Sequence, residues 1–108
     1  MGSRLDLITD WKRAARNAGY HVDALAGRAG VTERTLERYF KEQKRLGQSP
    51  KKWVDRLRMA DSWRDLRRRM SVKESALRRG FKHVQDFTRA FERVYGVKPS
   101  DARGKRPP

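Results

Sequence analysis

The chain reads as all-α: about seven helices, grouped as two units of helix, glycine turn, helix that are joined by one long helix. Three observations carry that expectation. Apolar residues recur at three- and four-residue steps through most of the 108 residues, the period of a helix with one buried face. Glycines close these periodic runs at Gly19, Gly30, Gly80 and Gly96. The pattern from Ala26 to Phe40 returns 50 or 51 positions later.

Leu5, Ile8, Trp11, Ala15 and Ala18 predict an amphipathic helix from Arg4 to Ala18, stopped by Gly19. A short helix is expected over Val22–Ala29, with His21 at its N-cap and Leu25 and Ala26 inward. Thr32 offers a hydroxyl cap to a third helix, Glu33 to Arg45, whose inward residues are Leu36, Tyr39 and Phe40. Ser49-Pro50 opens the long helix, because serine caps and proline's missing N–H costs nothing at the first helical position. Trp53, Leu57, Ala60, Trp63, Leu66 and Met70 form its apolar stripe, and Pro50 to Arg68 makes a rod of roughly 28 Å. Ser71 and Glu74 form a capping box for a helix from Val72 to Arg79, ended by Gly80. Val84 to Tyr95 is the next helix, turning Phe87, Ala90, Phe91 and Val94 inward, and Pro99 starts a last turn through Ala102. The expected organisation is a first helix-turn-helix unit over 1–48, a linker helix over 49–70, a second unit over 71–103 and a disordered basic tail over 104–108.

Composition narrows the function. Lys and Arg number 28 against 13 Asp and Glu, a formal charge of +15, and the sequence pI is about 11.2. Such an excess calls for an anionic partner. A mean hydropathy of -1.03 suits a disordered polycation, but 36% hydrophobic residues with three Trp, four Phe and three Tyr supply a modest core. The absence of cysteine excludes a disulfide scaffold, a thiolate metal site and a cysteine nucleophile. Two histidines, His21 and His83, do not make a metal cage, and no cofactor motif is present. No apolar run is long enough to span a membrane and no signal peptide opens the chain, so it reads as soluble and intracellular.

The repeat is specific. Ala26, Gly30 and Val31 pair with Ala76, Gly80 and Phe81 at an offset of 50, and Leu36, Arg38 and Phe40 pair with Phe87, Arg89 and Phe91 at 51, so the second turn holds one extra residue. A small residue lets two helices cross closely, and glycine supplies the turn. From Leu25 to Arg103 the chain resembles the DNA-binding domain of AraC/XylS-type regulators, in which a linker helix bridges two helix-turn-helix subdomains. The resemblance rests on Leu36-x-Arg38-x-Phe40-Lys41, Gly47-x-Ser49-Pro50, Ala60, Gly80-Phe81, Phe87-x-Arg89-x-Phe91, Gly96-x-x-Pro99 and Arg103. It implies homeodomain-like three-helix subdomains and a bacterial, cytoplasmic, nucleoid-associated transcription regulator. The chain departs from the family's pattern in a Phe40–Gly47 stretch two residues longer than usual, in Ser75 where an apolar residue is preferred, in Arg64 where a leucine is usual, and in Ala102 where an aromatic is usual.

Opposite Leu36 and Phe40 the third helix presents Glu33, Arg34, Glu37, Arg38 and Lys41; its counterpart presents Gln85, Thr88, Arg89 and Glu92. An α-helix fits the major groove, where Arg pairs with guanine, Gln with adenine, and Glu accepts from cytosine. Arg34, Glu37, Arg38, Gln85, Thr88 and Arg89 are therefore the expected base readers. Thr32, Lys41, Lys82, His83, Val84 and Asp86 are expected to hold phosphate or support the readers. Glu33, Glu37 and Lys41 also suit a solvated helix face, Arg38 and Arg89 also suit phosphate contact or packing, and the tryptophans read as core. Arg58, Arg67, Arg68, Arg69, Lys73, Arg78 and Arg79 are further candidates for phosphate. The expected partner is double-stranded DNA, bound by a monomer that fills two grooves about 34 Å apart, with a moderate bend costing on the order of 1–6 kcal/mol if the rod falls short. RNA polymerase is a further expected partner. The competing readings are a non-specific architectural DNA-binding protein and a protein-interaction module; an enzyme is not expected, because no nucleophile-base pair is visible.

Overall fold

The computed structural model describes residues 4–43 and 46–106, and among these it contains seven α-helices, a 3-10 turn and no strand. The 3-10 turn, Arg4–Leu7, precedes α1 (Trp11–Asn17), α2 (Val22–Ala29), α3 (Glu33–Glu42), α4 (Pro50–Arg67), α5 (Val72–Arg78), α6 (Val84–Tyr95) and α7 (Pro99–Ala102). Two compact units result, Met1–Asp55 and Arg56–Pro108, with the division inside α4.

Capping chemistry explains most boundaries. The Ser49 hydroxyl accepts from the Lys52 N–H at 3.3 Å, and the Ser71 hydroxyl accepts from the Glu74 N–H at 3.0 Å, so α4 and α5 begin where a side chain satisfies an orphan donor. The same rule breaks the helix expected from Arg4 to Ala18. The Asp10 carboxylate accepts from the Arg13 N–H at 3.0 Å and starts a new helix at Trp11, leaving Ile8–Asp10 outside any helix. The third helix ends at Glu42, where Gln43 turns extended; the rest of its expected span, Lys44 and Arg45, lies outside the described residues.

In the first unit Leu5, Ala15, Leu25, Ala26, Leu36, Phe40 and Val54 are buried. Phe40 is the hub. Its ring meets Trp11 edge-on at 5.1 Å and Trp53 edge-on at 5.7 Å, geometries that aromatic quadrupoles favour. Tyr39, expected inward, is only half-buried, and its hydroxyl donates to the Asp6 carboxylate at 2.7 Å.

The second unit packs Met59, Trp63, Leu66, Ala76, Phe87, Phe91 and Ala102 together. Beside them lies a buried polar group. Asp65 accepts from Arg79 Nε at 2.8 Å, from Arg79 Nη2 at 2.7 Å and from the Ser75 hydroxyl at 3.2 Å. The carboxylate is thus held bidentately and by a third donor, which is what a buried charge requires. Ser75, at a position where the resemblance leads to the expectation of an apolar residue, is thus one of a set of three polar partners.

That set also alters α4. The stripe expected along it is interrupted: Ala60 is exposed, while Met59, Asp61, Ser62 and Asp65 are buried with Trp63 and Leu66. More than one face of its carboxyl-terminal half is covered, so a single 3.6-residue stripe is not what burial selects. Val94, expected inward on α6, is 48% exposed. The tail expected to be disordered starts with ordered bonds: the Gly104 N–H donates to the Leu66 carbonyl at 2.7 Å and the Lys105 N–H to that of Ala102 at 3.0 Å. Pro107 and Pro108 lie outside the described residues. Arg103 Nη2 donates to the Arg69 carbonyl at 2.7 Å, fixing a residue whose φ is +66°.

Removing one member of the buried pair leaves an uncompensated charge, so Asp65→Ala is expected to lower the stability of the second unit by about 3–5 kcal/mol. Asp65→Leu, Ser75→Leu and Arg79→Met together should recover most of that loss, as read by urea denaturation. Burial, and secondarily the Asp61 carboxylate, pushes the Tyr95 phenol above its ordinary pKa. The folded state then holds this proton more tightly than the unfolded chain. Its contribution is fully present below the unfolded value and is lost as pH rises through the folded one. Tyr95→Phe is therefore expected to flatten the alkaline fall in stability, measured by denaturation across pH 9–11, roughly the range around an ordinary tyrosine pKa.

Candidate nucleic-acid interface

Each unit sets its second helix by the same local device. Gly30 and Gly80 adopt left-handed backbone, with φ of +74° and +83°, a region that residues with a Cβ resist. The Val31 N–H reaches back to the Ala26 carbonyl at 3.0 Å, and the Phe81 N–H to that of Ala76 at 2.9 Å. Gly30 and Gly80 also bond back to Gly27 and Leu77, at 3.1 Å each. Both helices therefore close in the same Schellman arrangement, and Ala26 and Ala76 are buried beneath the turns.

The turns deliver α3 and α6 with their rotation set from within. Leu36 and Phe40, and Phe87 and Phe91, are pairs one helical turn apart, and all four are fully buried. About 120–180° round α3 from the middle of its pair lie Arg34, Arg38 and Lys41, all exposed. The matching positions on α6 are Gln85, Arg89 and Glu92, also exposed. Glu37 and Thr88 flank these ridges; Glu37 is exposed and Thr88 half-buried. All six expected base readers thus sit on or beside a ridge that faces away from the core.

The supporting residues divide. Thr32 is the cap of α3: its hydroxyl accepts from the Thr35 N–H at 3.2 Å and donates to the Thr35 hydroxyl at 3.0 Å. His83 holds the equivalent place on α6, and His21 that on α2, neither with a side-chain cap bond. Lys82, His83 and Asp86 are exposed at the start of α6, whereas Val84 packs against the second core.

Two of the further phosphate candidates are engaged elsewhere. Arg79 holds Asp65. The Arg58 guanidinium lies 3.6 Å from the centre of the Phe81 ring, and its Nε donates to the Arg79 carbonyl at 2.7 Å. These two arginines brace the turn before α6, a role that sequence alone conceals because their partners lie 14 to 23 residues away. Ser75 at an apolar position was the available signal. Arg67, Arg68, Arg69, Lys73 and Arg78 are exposed. Among the described residues no group of three or more metal-binding side chains converges, and no helix is long and apolar enough to cross a membrane.

Residues 25–105 match the helix-turn-helix domain family. Over 105 residues the chain is 32% identical to the HTH-type transcriptional activator RhaS of Escherichia coli O9:H4 (strain HS), and equally to that of Shigella boydii serotype 18. The alignment takes in 96% of this chain and 37% of each relative, so the chain spans little more than a third of their length. No solved structure matches significantly.

The cap predicts its own test. Thr32→Ala should cost about 1 kcal/mol and fray the start of α3, seen as faster amide exchange at Thr35 and Leu36, whose N–H groups bond to the Thr32 hydroxyl and carbonyl, with little change in α6.

Proposed function

Since this chain belongs to the AraC/XylS-type helix-turn-helix family, we propose that it is a sequence-specific regulator of transcription that lays α3 and α6 into adjacent major grooves of one DNA duplex. The observation that carries the proposal is the pair of outward ridges, Arg34 with Arg38 and Gln85 with Arg89, each opposite two fully buried side chains and each behind the same glycine turn. Arg34 and Arg38 suit guanine, Gln85 suits adenine, and Glu37 suits the cytosine amino group. Lys41, Lys82 and His83 take phosphate, Thr32 and Val84 hold the helix starts in place, and Asp86 orients a neighbouring arginine.

The occurrence of the same buried-pair and outward-ridge arrangement in each of the two units supports the two-groove reading. With two reading helices on one chain, a monomer suffices. The relatives are named activators, which supports RNA polymerase as a second partner and a cytoplasmic, nucleoid-associated site of action. The charge of +15 favours one alternative, non-specific architectural binding, which would show uniform affinity and a steep salt dependence.

Competition binding at moderate salt separates the two. A site selected from randomised duplexes should outlast random DNA. Arg34→Ala and Arg89→Ala should each cost about 1–3 kcal/mol of discrimination, in different halves of the site. Equal loss on every sequence would make both arginines phosphate contacts.

A further inference from the structure

The second unit has a surface apart from the reading residues of α6, where Arg67 is the one side chain also named above as a phosphate candidate. Two hollows of about 300 Å³ and 280 Å³ share Trp63 and Tyr95 as a common wall. The indole and phenol rings meet edge-on with centroids 4.4 Å apart, and Val97, 39% exposed, extends the apolar floor. The floor is fixed to its rim, because the Trp63 indole N–H donates to the Lys105 carbonyl at 2.9 Å. The small, buried Ala102 lines the second hollow.

Charge surrounds this floor on both sides. Arg64 and Arg67 border one hollow; Lys105 and Arg106 border the other, with Asp101 the carboxylate among its lining residues. All four cations are exposed. Tyr95 stands one turn after Phe91, and their rings are 4.9 Å apart on the core-facing side of α6. Gln85 and Arg89 lie about 80° and 120° round that helix from Tyr95, roughly 15 Å and 9 Å before it along the axis, so the groove sits at the far end of α6 from the start of the ridge.

We propose that this Trp63–Tyr95 groove docks an acidic amphipathic helix of a partner protein, with apolar side chains seated on the floor and Asp or Glu side chains against the four cations. The sign and the floor together select that occupant. A phosphate backbone satisfies the cations but brings nothing apolar to cover the half-buried Tyr95 ring and Val97. A second copy of this chain brings the same +15 charge and is repelled. An amphipathic helix supplies both features at three- and four-residue spacing. The inference rests on the packing of the second unit and stands independently of the base-reading proposal.

The test uses the full chain and two labelled synthetic helical peptides of identical composition and net charge. One gathers Leu and Phe on a single face beside Asp and Glu; the other spreads them round the helix. Fluorescence anisotropy should show the first binding roughly tenfold tighter, and nuclear magnetic resonance should show the Trp63 indole N–H shifting while those of Trp11 and Trp53 stay. Val97→Asp, at an exposed position, should remove the preference for the first peptide and leave duplex binding within about twofold, well under 1 kcal/mol. Arg64→Gln with Lys105→Gln should weaken the first peptide more than the second. Equal affinity for the two peptides, or shifts confined to α3 and the α6 ridge, would overturn the proposal. So would a loss of duplex binding on Val97→Asp as large as the peptide loss, which would assign the groove to DNA, or self-association that Val97→Asp abolishes, which would assign it to a second copy. Peptide binding without any duplex binding would overturn the DNA reading alone.

Discussion

Burial of two side chains one turn apart, Leu36 with Phe40 and Phe87 with Phe91, fixes the rotation of α3 and α6, and what each helix can offer a ligand follows from it. A helix anchored at one such pair has a single rotational setting, since turning it by one residue would swing a ring into water and a guanidinium into the core. Burying a phenyl group stabilises by about 1.5–3 kcal/mol, and burying an unpaired arginine costs more than that. The polar ridges are thus consequences of the aromatic anchors behind them.

The two units solve the same packing problem with different chemistry. In the first, edge-on rings around Phe40 join α1, α3 and the start of α4. In the second, Asp65 gathers Ser75 and Arg79, and Arg58 continues the set to Phe81. The carboxylate takes the desolvation cost and returns direction: three donors must arrive at set angles, which orients the turn ahead of α6. An apolar trio of similar volume would hold the helices together with less angular demand.

What the sequence made legible was local. Thr32, Ser49 and Ser71 mark helix starts because a hydroxyl and an N–H three residues later meet without help from the rest of the chain, and Gly30 and Gly80 mark turns through their own backbone freedom. The ridge residues were legible for the same reason, being set by helical period once Leu36, Phe40, Phe87 and Phe91 are inward. Illegible features depend on distant coincidence. Arg58 and Arg79 read as free cations until Phe81 and Asp65 come beside them; the Trp63–Tyr95 groove joins α4, α6 and the segment after α7; and Val94 has the right period but meets no neighbour that covers it. The break at Asp10 was local too, but helical periodicity across it masked the capping carboxylate.

The tryptophans are unevenly shared: Trp11 and Trp53 belong to the first unit and Trp63 to the second. Intrinsic emission is therefore already sorted by lobe. A chain keeping only Trp63 reports the melting of one lobe and a chain keeping only Trp53 that of the other, so whether the two lobes lose their order in one cooperative event or two is open to simple optical thermometry, without any attached dye.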